Sequence, residues 1–168
     1  MPVAAIRLEL IVSGGQTGVD RAALDAARAR GLAVGGWCPR GRWAEDGAIA
    51  NDYPLRETAT DDPAERTCFN VRDTDATLVL TFGAPDSGTR LTVDIARELE
   101  RPLGVFDLAI ANAWDIRAWL AATRPGCLNV AGPRESNAPG IYARARALLE
   151  DVFRHVAFDD DLDETSRP

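Results

Sequence analysis

The chain contains no lysine; all of its 19 basic residues are arginines. Without a side-chain amine it forms no Schiff base, cannot hold pyridoxal phosphate through lysine, and has no Walker-A phosphate loop, whose chemistry needs that residue. Genomic base composition is the readier account of the bias, and the exclusions stand either way. Histidine is almost as scarce. His155 is alone, beside Val156 and Phe158, so no Ser-His-Asp or Cys-His arrangement can be built. Cys38, Cys68 and Cys127 are odd in number and far apart, which supports neither a disulfide framework nor a zinc site, and no metal site is expected. No apolar run approaches the length of a membrane span. Residues 1–7 lack the charged start and long apolar region of a secretory signal. A soluble cytoplasmic protein with no membrane partner is expected. The net charge of −7 and pI near 4.7 argue against nucleic acid, because duplex contact needs a basic face.

What is present is a hydrophobic content of 46% over 168 residues, enough for one domain with a proper core. Residues 1–158 read as that domain. Residues 159–168 read as an acidic, frayed tail that holds much of the net charge.

The organising stretch is Ser13-Gly14-Gly15-Gln16-Thr17-Gly18-Val19-Asp20-Arg21. An apolar strand at 8–13 precedes it. A helix from about Thr17 to Arg30 follows, with Gly31 at its C′ position and a second strand at 32–37. Strand, glycine-hydroxyl turn and helix together present free backbone N–H groups, and the default occupant is a phosphate. Residues 38–61 read as a long irregular loop, a feature that is usually functional. Asp61 or Asp62 caps a helix over 64–73, with Pro63 near its first position. A strand at 77–82 leads through Gly83–Thr89 to a helix over 90–100. A strand at 103–107, a helix capped by Asn112, a strand at 128–131 and a helix from Ile141 to about Phe153 complete the order. This alternation predicts an α/β fold, a Rossmann-like three-layer sandwich with a mostly parallel five-stranded sheet. Three strand ends then carry polar glycine turns on one edge, where such sheets bind ligands.

Each motif has a plainer alternative. The turn at 13–21 could be only a tight connection; its hydroxyl and amide side chains, Ser13, Gln16 and Thr17, favour ligand binding. Asp20 could serve the helix dipole or orient a ribose or water. Ser87, Gly88 and Thr89 form either a second anion cradle or an ordinary cap. The turn with Gly132, Arg134, Glu135 and Ser136 is stiffened by Pro133 and Pro139, which suits a fixed binding loop. Arg40 or Arg42 could hold a phosphate while Trp43 stacks on a planar ring, or Trp43 could pack the loop down. Glu45 and Asp46 could do acid–base work, although most acidic pairs in loops are simply solvated.

Several blocks together resemble a known family. These are the residues at 13–20, Gly36-Trp37-Cys38-Pro39-Arg40-Gly41-Arg42, Ala44-Glu45-Asp46-Gly47, Tyr53-Pro54-Leu55-Arg56-Glu57, Asn70-Val71-Arg72-Asp73, Ser87-Gly88-Thr89 and 129–136. They resemble the “putative molybdenum carrier” proteins, also described as circularly permuted YpsA-like, over about residues 8–153. The resemblance implies a Rossmann-like domain of the SLOG superfamily, similar to the LOG phosphoribohydrolases and to the DNA-processing protein A domain. It also implies molybdenum cofactor as bound cargo and a homo-oligomer. The P-G-G-x-G-T-x-x-E motif of the LOG enzymes is not reproduced at 14–20, where Asp20 stands in place of its Glu, so hydrolase activity does not carry over.

Two functions follow as expectations. One is a binding protein for a small phosphorylated ligand, nucleotide-like or pterin, held by Ser13, Gly14, Gly15, Gln16, Thr17, Gly18, Arg40, Arg42, Trp43, Ser87, Gly88, Thr89, Gly132, Arg134, Glu135 and Ser136. The other is an enzyme cleaving the N-glycosidic bond of a nucleoside monophosphate, with Asp20, Glu45 or Asp46 as the working carboxylate. A third, blander reading is a nucleotide-ligand sensor domain whose occupancy changes its assembly.

Overall fold

The computed structural model describes residues 5–156, so the acidic tail read at 159–168 lies outside the described residues. β1 (Leu10–Val12) turns through residues 13–18 into α1 (Val19–Ala29), and β2 (Ala33–Gly35) follows. Residues 37–57 hold four short strands: β3 (Trp37–Cys38), β4 (Trp43–Ala44), β5 (Gly47–Ala48) and β6 (Arg56–Glu57). Then come α2 (Pro63–Arg72), β7 (Ala76–Thr81), α3 (Ser87–Glu98), β8 (Leu103–Asp107), α4 (Ala113–Thr123), β9 (Cys127–Ala131) and α5 (Ile141–Phe153).

Five strands make one sheet in the order β2-β1-β9-β7-β8, and every pairing is parallel. The chain is therefore an α/β Rossmann-like sandwich. α1, α4 and α5 pack together, as do α2 and α3. Right-handed crossovers running outward in opposite directions place these groups on opposite faces. β7 is buried along its whole length, as a strand covered on both faces must be. The core joins Ile11, Leu78, Leu80, Leu128 and Val130 of the sheet to Ile116, Leu120, Leu149 and Phe153 of the helices, and Ala22, Ala23, Ala26 and Ala27 bring α1 close to α5.

Three local expectations need correction. The strand read at 32–37 breaks at Gly36, whose φ of 132° only glycine adopts freely; a Cβ there would stand 2.3 Å from the Ser13 carbonyl oxygen. The stretch at 38–61 is not irregular. β3 pairs with β6 in parallel, β4 with β5 antiparallel, and Leu24, Cys38, Ala44, Ile49 and Leu55 form a small core beneath them. The helix expected from residue 90 begins at Ser87, because the Asp86 carboxylate caps it by accepting the Thr89 N–H at 2.8 Å.

Candidate functional site

β1, β9 and β7 are neighbours, so the turns that follow them meet on one edge. Hydrogen bonds join the first turn to the third. The Pro133 carbonyl accepts the Val19 N–H at 3.2 Å, which caps α1 from outside its own sequence. Thr17 Oγ1 donates to Glu45 and accepts the Glu135 N–H at 3.2 Å. Glu45 also accepts from Ser136 Oγ at 2.5 Å and from the Ser136 N–H at 3.1 Å. Gln16 Oε1 accepts the N–H groups of Thr17 and Glu45 at 2.9 and 3.0 Å. One carboxylate thus staples the hairpin of β4 and β5 to both turns. The hydrogen bonds from Ser136 and Thr17 hold the Glu45 carboxyl below its usual range. Turn three is fixed to α3 as well, since Asn137 Nδ2 donates to Asp86 at 2.8 Å. Burial pushes Asp86 up, but the hydrogen bonds from Asn137 and Thr89 outweigh it and hold the carboxyl down.

Between these fixed turns lies a cavity of about 130 Å³. Gln16 and Asp20 line one side, Arg66 and Thr67 of α2 another, Ser87, Gly88 and Thr89 of α3 a third, and Gly132 and Arg134 close it. The first amides of α3 have no partner within their own helix, and the helix dipole adds positive potential there. Thr89 is 2% exposed and its hydroxyl has no partner; the same holds for the buried Ser13 hydroxyl. Arg66 lies over the first turn, where a Cβ on Gly14 would stand 1.9 Å from Nη1. Its guanidinium pairs with Asp20 Oδ2 at 3.1 Å. Burial raises the Asp20 carboxyl, opposed by Arg66 and by the Gln16 N–H. The cavity therefore offers a cation and the first amides of α3, a donor set suited to an oxyanion.

The other expected site residues are placed as follows. Trp43 is exposed and does not line the cavity; the guanidinium of Arg134, which does, lies 5.9 Å from its ring. Gly15 is packed by Leu55 and Ile49, and Gly18 and Gly132 let the turns approach neighbouring backbone. Glu135 serves α5, accepting the N–H groups of Gly140 at 2.5 Å and Tyr142 at 2.9 Å. Asp46 is held by Arg21 at 2.5 Å, which pulls its carboxyl down. Arg42 donates to the carbonyls of Ile49, Ala50, Tyr53 and Leu55 and so shapes its own loop. Arg40 is exposed and does not line this cavity. Ser136, Thr17, Gly18, Glu45 and Asp46 line a separate, open cleft of about 730 Å³ with Asp25 and Tyr142. Arg66 was not among the expected residues. Its signal was the stripe Pro63, Arg66, Thr67 and Asn70, one helix face beginning at the cap that Asp62 makes.

Comparison with known proteins agrees with this architecture. The profile of the circularly permutated YpsA SLOG family matches residues 11–153. The chain belongs to this family. A crystal structure named “Putative molybdenum carrier protein”, from Syntrophus aciditrophicus SB, is 40% identical to this member, with a TM-score of 0.83. The match covers 87% of this chain and 94% of that one. Comparison with curated proteins gives no match. The family match spans all three turns and α2, so Arg66 and the cavity fall inside it.

Proposed function

We propose that this family member binds a small phosphorylated ligand, with the phosphate in the cavity between Asp20, Arg66, the start of α3 and Arg134. The observation that carries this reading is that the Arg66 guanidinium and the Ser87 and Gly88 amides at the start of α3 line one small space. The space suits one phosphate and is below the roughly 300–1,000 Å³ of a pocket for a whole drug-sized ligand. The planar part, a nucleotide base or a pterin, extends past Arg134 and Trp43. The similar crystal structure is named a molybdenum carrier, and molybdenum cofactor, a phosphate-bearing pterin, is the cargo that suits both that name and a phosphate site. Among the described residues no group of His, Cys, Asp and Glu is placed to hold a metal ion, and a pterin that brings its own sulfur ligands asks for none. The test is mass spectrometry of ligand released from the purified protein, with phosphate titration of wild type and Arg66→Gln. A phosphorylated ligand, and a loss of about tenfold or more in the variant, supports the reading. Equal affinity in both proteins overturns it.

A second reading, hydrolysis of the N-glycosidic bond of a nucleoside monophosphate, rests on Asp20. It lines the same cavity, whereas Glu45 and Asp46 are committed to Ser136, Thr17 and Arg21. Released base that vanishes in Asp20→Asn would favour it. The protein is also proposed to self-associate. Trp114 is 62% exposed on α4, while Trp119 turns inward against Phe106. A monomer mass in solution would remove that proposal.

A further inference from the structure

Both hydrogen bonds that reach the Asp20 carboxylate fall on Oδ2, from the Gln16 N–H at 3.4 Å and from Arg66 Nη1 at 3.1 Å. Among the described residues, Oδ1 has no hydrogen-bond partner. The residue is 3% exposed and lines the cavity. An ionised carboxylate only accepts hydrogen bonds, and so do the oxygens of a fully ionised oxyanion. Enclosed together in so small a space they repel unless one proton lies between them. Arg66, Arg134 and the α3 amides attract any oxyanion and so do not discriminate. Asp86 also lines the cavity, but both its oxygens are engaged, by the Thr89 N–H and by Asn137. Asp20 is the acceptor left over.

We propose that Asp20 makes this cavity selective for an oxyanion that carries a proton, hydrogen phosphate or a protonated phosphate monoester, over fully ionised tetrahedral anions such as sulfate and molybdate. This rests on the phosphate-binding reading above and names the ligand form that the site takes. The ligand O–H donates to Oδ1, while Arg66 keeps Oδ2 and contributes its remaining N–H groups to the other ligand oxygens. Burial raises the Asp20 carboxyl, so it is a stronger acceptor for a shared proton than an ordinary aspartate. The charged groups around it are Arg66 on α2, Arg21 on α1, Asp86 before α3 and Arg134 in the third turn.

The experiment is calorimetric titration of the full chain at about pH 8, where inorganic phosphate keeps one proton and sulfate none although both carry two charges. Arsenate and selenate repeat the contrast with larger anions, and molybdate completes the set. Phosphate and arsenate are expected to bind about tenfold or more tightly than sulfate, selenate and molybdate. At about pH 5, sulfate binding strengthens because Asp20 takes its proton from solvent. Asp20→Asn, whose amide donates, brings the phosphate-to-sulfate ratio close to one by strengthening sulfate. If Asp20→Asn does not fold, the wild-type comparison at the two pH values decides alone. Equal wild-type affinities across the protonated and unprotonated pairs overturn the selectivity and leave the site standing. Binding of none of these anions overturns the site, and the selectivity with it.

Discussion

Gly18 and Pro133 lie so close that the residue before α1 has no room for a side chain. A Cβ on Gly18 would stand 2.3 Å from the Pro133 carbonyl oxygen, the same oxygen that accepts the Val19 N–H. The φ of 79° at Gly18 adds a backbone cost for any other residue. Gly18→Ala must therefore separate the first and third turns or leave the α1 N-terminus uncapped. The expected loss is about 2 kcal/mol of folding stability, read by urea denaturation. An unchanged midpoint would show that the turns are not locked together at this point.

Glu45 does the same work from the side of the hairpin. Its carboxylate accepts from Thr17, from Ser136 Oγ and from the Ser136 N–H, three donors on two separate turns. Glu45→Gln keeps the shape, but its amide nitrogen cannot accept and its remaining oxygen carries no charge, which should cost about 1–2 kcal/mol at pH 7. The folded carboxyl titrates below its ordinary value. Its contribution is present above the unfolded pKa and is lost as pH falls through the folded one. The stability gap between wild type and variant should close across that acid window. A gap of constant size would mean that the staple does not depend on the carboxylate charge.

How much of this was readable depends on how local each cause is. Asp62-Pro63 and Asn112 mark their helix starts because a cap needs only neighbours in sequence, and both cap as expected. The meeting of the turns on one edge was also readable, since alternating strands and helices imply a parallel sheet. Gly36 was not, because what leaves no room for a side chain there is the Ser13 carbonyl, which arrives from the turn after β1. Nor were the pairing of Trp37 with Arg56 and the small core under Ile49, which depend on contacts far apart in the chain. Arg66 was missed for the same reason. It sits in the helix layer opposite α1, and only the closed topology carries it over Gly14.

Arg42 and Arg66 invite opposite expectations. Arg42 holds four carbonyls at 2.8–3.1 Å and adopts a φ of 55°, so its role is to shape residues 49–55. Arg42→Ala should cost about 2 kcal/mol of stability through the carbonyls it leaves bare, and lysine should not rescue it, because one ammonium cannot reproduce the fork. Phosphate affinity should change by less than about threefold, below 1 kcal/mol. A large loss of affinity without a loss of stability would place Arg42 in the binding site after all.

Arg66 compensates a buried charge, and pH exposes this. Arg66→Gln leaves Asp20 enclosed without its cation, and breaking such a pair costs about 3 kcal/mol. Burial already raises the Asp20 carboxyl, and removing the guanidinium raises it further. A group whose folded pKa exceeds its unfolded value contributes stability below the unfolded value and loses it as pH rises through the folded one. The variant should therefore be close to wild type near pH 4 and fall behind steadily towards pH 7. Adding Asp20→Asn should remove that pH dependence, since no ionisable group remains to be neutralised. Denaturation curves at both pH values for the two variants settle the point, and an equal deficit at each pH would mean that Arg66 serves packing over Gly14 and not the charge of Asp20.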